Sequence, residues 1–287
     1  MHVVDHLVLH VTTLTLARMR FVRLGFHVAP DQQHPDGTGS CRVFFEDRTY
    51  IEPMTLLDRT KADMAAAEGS VFIKRLRRYI GRHGEGLAMV ALRTEDPDAD
   101  CKRFRREGID CSETAGIVRH ATLADGSEAE MQSTIAIADV SSSPDATFYT
   151  CWHEPTDAAQ AAPSPHPNGA IGISGVSAVA ENPADFHILL TAVTGQRELR
   201  ATSFGVEAVV NGQRFELLTP EGFRARYGVA PPDQHRRLVF AAIDVVVSDL
   251  DQATRFGGAD AVRHDERIIV PPMPGQGAVI AFGAAHG

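Results

Sequence analysis

The chain has 287 residues, of which 44% are hydrophobic and 23% are charged, and its formal net charge is −9. This length predicts about two domains, and the composition excludes a mainly disordered chain. An acidic chain lacks the basic surface that nucleic acids require, so we expect no nucleic-acid partner. No apolar run reaches the roughly 20 residues that span a bilayer, and the N-terminus lacks the features of a signal peptide. We therefore expect a cytoplasmic protein with no membrane partner.

The cysteines of the chain are widely spaced, and no two of them form a Cys-x-x-Cys pair. This spacing does not support a zinc ribbon or a thioredoxin-like motif. We expect four reduced thiols in or near the core, at Cys41, Cys101, Cys111 and Cys151.

The chain opens with a strand, a helix and three further strands. Residues 4–11 alternate between apolar and polar types and predict a strand. Residues 14–24 place apolar side chains among arginines, which predicts a helix that ends at Gly25. Three short apolar runs then predict strands at 26–28, 41–45 and 48–54. The order of this first module is βαβββ.

The same order returns three times along the chain. The strand and helix that open the later modules are 87–92 with 98–107, 173–180 with 183–193, and 238–247 with 249–256. Their closing strands include 116–123, 130–138, 146–153, 205–210, 213–219, 266–270 and 277–282. Asp125-Gly126 and Asn211-Gly212 predict tight hairpin turns within these modules.

Two segments fall outside the modules. Residues 58–82 predict a helical insert after the first module, and the Pro-, Ala- and Ser-rich residues 155–168 predict a linker. The expected domains are therefore 1–154 and 169–287. A single module would expose an apolar face and an open sheet edge, so modules must pair.

Because the linker falls between the second and third modules, we expect the first to pair with the second and the third with the fourth. The alternative pairs the first with the fourth and the second with the third. Either pairing gives an α+β fold in which four βαβββ modules form two open eight-stranded barrels with helices outside.

This arrangement resembles the vicinal oxygen chelate superfamily, which has the glyoxalase and extradiol-dioxygenase fold, and in particular its bacterial glyoxalase-like domain proteins. The stretches that carry the resemblance are DHLV at 5–8, RLGF at 23–26, HPDGT at 34–38, YIE at 50–52, ADGS at 124–127, FYTCWH at 148–153 and HPNGA at 166–170. The resemblance covers essentially the whole chain. It implies the fold and a homodimer, but no particular reaction, because the superfamily contains enzymes and metal-free binding proteins.

Enzymes of this superfamily hold a divalent metal inside the barrel, and the resemblance places His6 and Glu52 at two ligand positions, with Glu52 as the catalytic residue. The first strand of the second module offers no ligand type, which leaves His153 on its last strand. If Thr147 aligns with Thr49, His153 faces away from the barrel. If a bulge intervenes, His6, Glu52 and His153 form a two-histidine, one-carboxylate set. The expected cofactor is a divalent metal (Zn, Fe(II), Mn or Ni) or none.

Further polar residues are candidates for substrate binding. His10 shares a strand face with His6, and His34 lies in a loop rich in proline and glycine. Arg119 and His120 suit an anionic group of a substrate. The alternative for each of these residues is an ordinary polar position at the surface or at a strand end.

The C-terminal half carries fewer candidate ligands. Gly175 stands where the first module has His6, and Ala241 or Ala242 does so in the fourth module. Glu216 matches Glu52 but has no partner histidine, so we expect it to pair with an arginine, namely Arg214, Arg197 or Arg200. We expect a structural or dimerising half.

The sequence favours a protein that binds a small oxygen-rich metabolite in the N-terminal barrel, with metal-assisted lyase, isomerase or dioxygenase chemistry. The alternative is a non-catalytic protein that binds or sequesters a small molecule in the same fold. A hydrolase is not favoured, because the chain has no Gly-x-Ser-x-Gly or His-Glu-x-x-His motif.

Overall fold

The computed structural model describes residues 1–111, 114–122, 128–141, 143–154, 165–232 and 237–284, without the side chains of 119–122 and 128–131. None of the helices in these ranges is long and apolar enough to cross a bilayer. The elements of the N-terminal half are β1 Val4–His10, α1 Leu14–Arg23, β2 Gln32–Gln33, β3 Thr38–Ser40, β4 Val43–Phe44, β5 Tyr50–Leu56, α2 Arg59–Ala67, α3 Val71–His83, β6 Gly86–Arg93, α4 Pro97–Arg106, β7 Ala115–Thr122, β8 Glu128–Ala138 and β9 Thr147–His153.

The C-terminal half repeats this pattern. Its elements are β10 Ala170–Val179, a short 3₁₀ helix Pro183–Phe186, α5 His187–Thr194, β11 Arg200–Thr202, β12 Gly205–Val210, β13 Gln213–Leu218, α6 Pro220–Tyr227, β14 Val239–Val247, α7 Leu250–Phe256, β15 Val262–His264, β16 Arg267–Val270 and β17 Val279–Ala284.

Each half forms one mixed sheet. The strand order is β2-β3-β5-β1-β6-β9-β8-β7 in the first sheet, with β4 beside β5, and β11-β12-β13-β10-β14-β17-β16-β15 in the second. The opening strands of two modules meet at the centre of each sheet, β1 beside β6 and β10 beside β14. This topology confirms the α+β fold, the four modules and the predicted pairing of the first with the second and the third with the fourth.

The structure also departs from the sequence-based elements. The insert predicted as one helix is two, α2 and α3, separated at Gly69, whose φ of +110° breaks the helix. The predicted strand 41–45 is replaced by β3 and β4 on either side of Cys41. Helix α6 was not predicted, although Thr219 caps it and Gly228 ends it. The Asp125-Gly126 turn and residues 155–164 of the linker lie outside the described residues.

The two halves share one hydrophobic core, which lies between their sheets. Phe148 of β9 packs edge-on against Phe240 of β14 at 4.9 Å, and Phe26 stacks on Phe282 of β17 at 5.8 Å. The opposite face of the first sheet, here called the site face, packs against α2 and α3. The corresponding face of the second sheet packs against α6. Each sheet is therefore buried on both faces.

Two of the sequence stretches that suggested the family lie against each other. The side-chain amide of Asn168 donates to the carbonyl of Leu24 at 2.8 Å. The His27 backbone N–H donates to Nδ1 of His166, whose Nε2 donates to the Phe44 carbonyl at 2.9 Å. Gly25 has a φ of +81°, and a Cβ there would lie 2.8 Å from Cβ of Asn168. The turn after α1 is thus built to receive the segment that opens the C-terminal half.

The expectation of four reduced thiols is wrong for two cysteines. Cys101 and Cys111 form a disulfide, with a Cα–Cα distance of 5.5 Å. The chain reverses direction after α4 at Gly108, whose φ is +76°, and this turn brings the two cysteines together. Cys41 and Cys151 are free and buried, as expected, and burial raises the pKa of the Cys41 thiol to about 12.

Candidate functional site

The site face of the N-terminal sheet contains a small cavity of about 40 Å³. Its walls come from strands β1, β5, β7, β8 and β9, from helix α3 and from the segment between β3 and β4. The polar side chains that line it are His6, Arg42, Tyr50, Glu52, Ser133, Tyr149, Cys151 and His153. His6, Glu52 and His153, which the sequence nominated, therefore face the same space.

A β-bulge gives His6 a carboxylate partner. Val4 pairs with Leu92 and His6 pairs with Ala91, so Asp5 is an extra residue on β1. Regular alternation would turn Asp5 away from His6, but a bulge re-aims the side chain. Asp5 Oδ2 lies 2.7 Å from Nδ1 of His6. Sequence periodicity missed Asp5, because a bulge has no signal in the alternation pattern.

The other nitrogen of His6 faces two oxygens. Nε2 lies 2.7 Å from the hydroxyl of Tyr149 and 3.9 Å from Oε2 of Glu52. Tyr50 stacks on the imidazole at 4.5 Å and fixes the plane of the ring. His6 and Glu52, at 5% and 3% exposure, are buried together as predicted.

Glu52 is the acceptor of a buried polar chain. Nε of Arg42 donates to Glu52 Oε1 at 2.9 Å, and the Ser40 hydroxyl donates to the same oxygen at 2.8 Å. His34 Nε2 donates in turn to Ser40 Oγ at 2.9 Å. Burial opposes the charge on Arg42, but Glu52 outweighs burial and the pKa of Arg42 is raised. The Glu52 carboxylate is thus matched by a buried cation.

Asp5 joins His6 to His153. Asp5 Oδ2 lies 2.8 Å from Nε2 of His153, and Arg93 Nε donates to Asp5 Oδ1 at 3.1 Å. The Nδ1 of His153 pairs with the Ser133 hydroxyl at 2.8 Å. Burial by itself would raise the pKa of Asp5, but the hydrogen bonds of His153 and His6 outweigh it and lower that pKa. Asp5 is therefore ionised at neutral pH.

The remaining nominated residues lie elsewhere or outside the described side chains. His10 contacts the carbonyl of Gly84 at the end of α3, at 2.6 Å, and burial lowers its pKa. His34 is connected to the site through Ser40. Arg119 and His120 lie on β7, and their side chains are outside the described part of the structure. Their role in substrate binding stays a prediction.

Strand register identifies the counterparts of His6 and Glu52 in the second module. The paired residues Leu7 and Val90 lie on the local two-fold axis that relates β1 to β6. This axis exchanges His6 with Met89, and Val8 with Ala91. Glu52 pairs with Val8 and Tyr149 pairs with Ala91, so Tyr149 is the counterpart of Glu52. Tyr149, Cys151 and His153 share one face of β9, so His153 does not face away. Aligning Thr147 with Thr49 was therefore wrong by one residue: Thr147 is the counterpart of Tyr50.

These residues do not fit the metal position of the superfamily. Of the four related positions, Met89 offers no oxygen or nitrogen, and Tyr149 binds His6 Nε2 through its hydroxyl. The buried guanidinium of Arg42, bound to Glu52 at 2.9 Å, would repel a divalent cation. The Nε2 of His153 contacts Asp5, and its Nδ1 contacts Ser133. The three-ligand set stays a prediction.

A different group beside the cavity has the donor types of a metal site. Asp5, Cys151 and His153 place one ligand atom each within 4.8 Å of one another. Carboxylate, thiolate and imidazole are all ligands of zinc. The Sγ of Cys151 lies 3.6 Å from Nε2 of His153, the nitrogen that also contacts Asp5. This set could hold a metal ion, adjacent to His6 but displaced from Glu52.

The C-terminal sheet has no imidazole at the position that corresponds to His6. Gly175 takes the register of His6 and Ala242 that of Met89, so the expected substitutions are present. Glu216 takes the register of Glu52, and its main cationic partner is Arg226 of α6, with Nε 2.9 Å from Oε2. The predicted partner Arg214 is 4.0 Å from Glu216, and Arg200 pairs with Glu207 instead.

Solved structures share this fold along the whole chain. A hypothetical protein from Staphylococcus aureus has a TM-score of 0.68 and 12% identity, with 99% of this chain and 100% of that one covered. A mutant of 4-hydroxymandelate synthase from Streptomyces coelicolor has a TM-score of 0.57 and 14% identity, covering 100% and 94%. A xylose isomerase-like TIM barrel/4-hydroxyphenylpyruvate dioxygenase fusion protein has a TM-score of 0.55 and 13% identity, covering 99% of this chain and 48% of that one.

No curated protein matches the chain in sequence. A family model described as a glyoxalase-like domain matches residues 4–194, which include the whole site and more than half of the chain. With four paired βαβββ modules and neighbours that share the same architecture, the protein belongs to the glyoxalase-like domain family.

Proposed function

We propose that the N-terminal half binds a small oxygen-rich molecule at the site cavity and transfers a proton on it, as isomerases and lyases do. The observation that carries this proposal is the buried relay from Asp5 through His6 to Tyr149, with Glu52 3.9 Å from the same nitrogen of His6. A histidine that is oriented by a carboxylate and faces a cavity suits general acid–base catalysis.

The ionised state of Asp5 determines where the protons lie. Because its pKa is lowered, Asp5 accepts and Nδ1 of His6 donates. Neutral His6 then has an unprotonated Nε2, which accepts from the Tyr149 hydroxyl. A substrate that displaces this hydroxyl meets a base. When His6 has taken the proton, Asp5 stabilises the imidazolium until the proton is returned to a neighbouring atom.

Three donors surround the space that the substrate oxygens would occupy. Arg42 lines the cavity as a cation, because its pKa is raised. Burial also raises the pKa of Tyr50, which keeps its phenol protonated. Together with Tyr149, these groups can bind two neighbouring oxygens and the negative charge that develops when a proton leaves the adjacent carbon. The proposed chemistry therefore runs without a metal.

The size of the cavity limits access. Its volume of about 40 Å³ is that of about one water molecule, and Phe72 of α3 forms one wall. Phe72 packs edge-on against Tyr149 at 6.1 Å. A substrate larger than this volume must displace side chains of the wall, and Phe72 of α3 is one of them.

Solvent exchange tests the proposal. Deuterium incorporation at carbons next to the carbonyl of 2-hydroxy ketones and 2-oxo acids can be followed by NMR in D₂O. We expect the wild type to accelerate exchange for at least one compound, and His6→Ala to slow it by about 100-fold. His187→Gln, which changes an exposed histidine of α5, is the matched control. Exchange in His6→Ala at the wild-type rate would overturn the proposal.

Metal analysis separates the alternatives. The protein is purified without chelator, and its metal content is compared with that of Glu52→Ala and Cys151→Ser. A stoichiometric metal that is lost in Glu52→Ala assigns the cavity to metal-assisted chemistry instead. A metal that is lost only in Cys151→Ser lies at Asp5, Cys151 and His153. Saturable binding of a metabolite without exchange supports the non-catalytic binding protein.

A further inference from the structure

A second and much larger cavity lies between the two halves. Its volume is about 760 Å³, within the range of about 300–1,000 Å³ that holds small organic ligands. The C-terminal end of α3 forms one side, and β14, β17 and the segment 230–232 form the other. None of its lining residues lines the site cavity. It is therefore a separate space with its own chemistry.

Cationic side chains converge on one buried carboxylate at this cavity. Asp145 is 2% exposed, and its Oδ2 lies 3.2 Å from Nη1 of Arg82 and 3.1 Å from Nη1 of Arg237. His83 Nε2 is 3.3 Å from the same oxygen, and Nε of Arg78 is 3.7 Å from Oδ1. One carboxylate accepts about four hydrogen bonds, whereas each guanidinium brings about five donors. Donors far exceed the acceptors of Asp145.

Glu85, the other acid at the cavity, does not absorb this excess. Its Oε1 accepts the backbone N–H of Thr12 at 2.6 Å, and its Oε2 accepts that of Gly275 at 2.7 Å. Among the described residues that line the cavity, the charges of Arg82 and Arg237 balance those of Asp145 and Glu85. The side chains of Arg82 and Arg237 are each 38% exposed, while Asp145 is buried beneath them. Guanidinium N–H donors beyond those that Asp145 can accept therefore face the cavity.

The remaining walls are apolar. Phe223 of α6, Phe240 of β14 and Val279 of β17 line the cavity, with Pro231 and Pro232 beside them. We propose that this cavity binds a small organic anion with an apolar body. Its carboxylate or phosphate head pairs with Arg82 and Arg237, since guanidinium binds both groups, and its body packs on the aromatic wall.

Calorimetric titration of the full chain with octanoate, octyl phosphate and 1-octanol tests this proposal. We expect one saturable site per chain for at least one anion and at least tenfold weaker binding of 1-octanol. The tighter of the two anions identifies the head group. Binding of neither anion, or equal binding of 1-octanol, would overturn the proposal.

Variants locate the binding. Arg82→Gln and Arg237→Gln are each expected to weaken anion binding about tenfold. Ala230→Trp fills the cavity from an exposed lining position and should weaken binding without removing a charge. If the arginine variants lose stability, the binding measured with Ala230→Trp tests the proposal instead. Arg77→Gln, on α3 but paired with exposed Asp63, should bind as the wild type.

Unchanged binding in both arginine variants and in Ala230→Trp would contradict the assignment. His6→Ala should bind the anion as the wild type does, because His6 lines only the smaller cavity. This result keeps the test separate from that of the proposed proton transfer. Loss of anion binding in His6→Ala would place the ligand in the site cavity instead and overturn the inference.

Discussion

The two sheets place a glutamate at the same register but surround it differently. Glu52 faces an imidazole at 3.9 Å and a small cavity. Glu216 faces Ser177, whose hydroxyl donates to it at 3.0 Å and lies 2.6 Å from the hydroxyl of Tyr227. Tyr227, from α6, occupies the space beside the counterpart glutamate. The N-terminal sheet thus keeps the pair of His6 and Glu52 at a cavity, and in the C-terminal sheet the side chain of Tyr227 fills the corresponding space.

This difference shows how the same arrangement of strands can surround the corresponding glutamate in two different ways. In the C-terminal sheet burial raises the pKa of Glu216, and the hydroxyl of Tyr227 also lies 3.2 Å from Asp244. These groups satisfy one another in a closed network, which holds α6 against the sheet. In the N-terminal sheet the corresponding network ends at residues that line the cavity. The network in the C-terminal sheet serves stability, whereas the one in the N-terminal sheet leaves an imidazole and hydrogen-bond donors facing a cavity.

The largest expected effect concerns Tyr227. Tyr227→Ala removes a side chain that is 1% exposed and packs on Phe223 at 4.8 Å, so we expect a loss of about 3–5 kcal/mol in the free energy of unfolding. Denaturant titration measures it. Proton transfer at the N-terminal site should stay within twofold of the wild type for the folded protein. A loss below about 1 kcal/mol would mean that Tyr227 does not fill a core position.

Lowering the pH should destabilise the protein through His166, in the segment that joins the two halves. Burial lowers the pKa of His166 from 6.5 to about 4, against the bond to the Phe44 carbonyl and with help from His27. The folded state therefore favours neutral His166, and its contribution to stability is complete above pH 6.5 and is lost as the pH falls toward 4. We expect the free energy of unfolding to fall by about 2 kcal/mol between pH 7.5 and pH 5 from this group.

Denaturant titrations at the two pH values, with His166→Gln and the exposed-site control His187→Gln, measure this contribution. His166→Gln should lose the part of the pH dependence that His166 carries, about 2 kcal/mol, and His187→Gln should keep it. His10, whose pKa burial also lowers, keeps its own contribution in both variants. Glu216 changes the free energy of unfolding in the opposite direction. Its pKa is raised in the folded protein, so it stabilises the fold below its ordinary pKa of 4.5, and this stabilisation is lost as the pH rises. An unchanged pH profile in His166→Gln would show that His166 does not carry the effect.

The smallest expected effect is that of one hydroxyl in the N-terminal site. Tyr149→Phe removes the donor to His6 Nε2 and keeps the ring, so stability should change by about 1 kcal/mol or less. Deuterium exchange should slow by about tenfold, because Tyr149 positions a proton on one of the substrate oxygens or on His6. Tyr227→Phe, the matched change in the other half, should leave exchange unchanged. Equal exchange rates in both variants would remove Tyr149 from the mechanism.

The juxtaposition of His6 and Glu52 could be predicted because the family resemblance supplies the order of the strands and alternation supplies the face of each side chain. The opening and closing strands of one module are neighbours, as the resemblance implies. Asp5 could not be predicted, since its orientation depends on a bulge opposite Leu92 and Ala91. Tyr149 was missed because its face depends on the register between β6 and β9, where a slip of one residue reverses the face.

The sequence by itself determined the order of the modules and the absence of a histidine at the His6 position in the C-terminal half, because hydrophobic periodicity and turn residues act over a few residues. It favoured pairing of the modules on either side of the linker, and the structure decided for that pairing. Only the tertiary structure decided what covers each sheet. Helices α2 and α3 pack on the site face and Phe72 of α3 lines the cavity, α6 fills the corresponding space, and the ends of α3 and β14 meet around Asp145. These arrangements depend on packing between segments far apart in the chain, which no local pattern encodes.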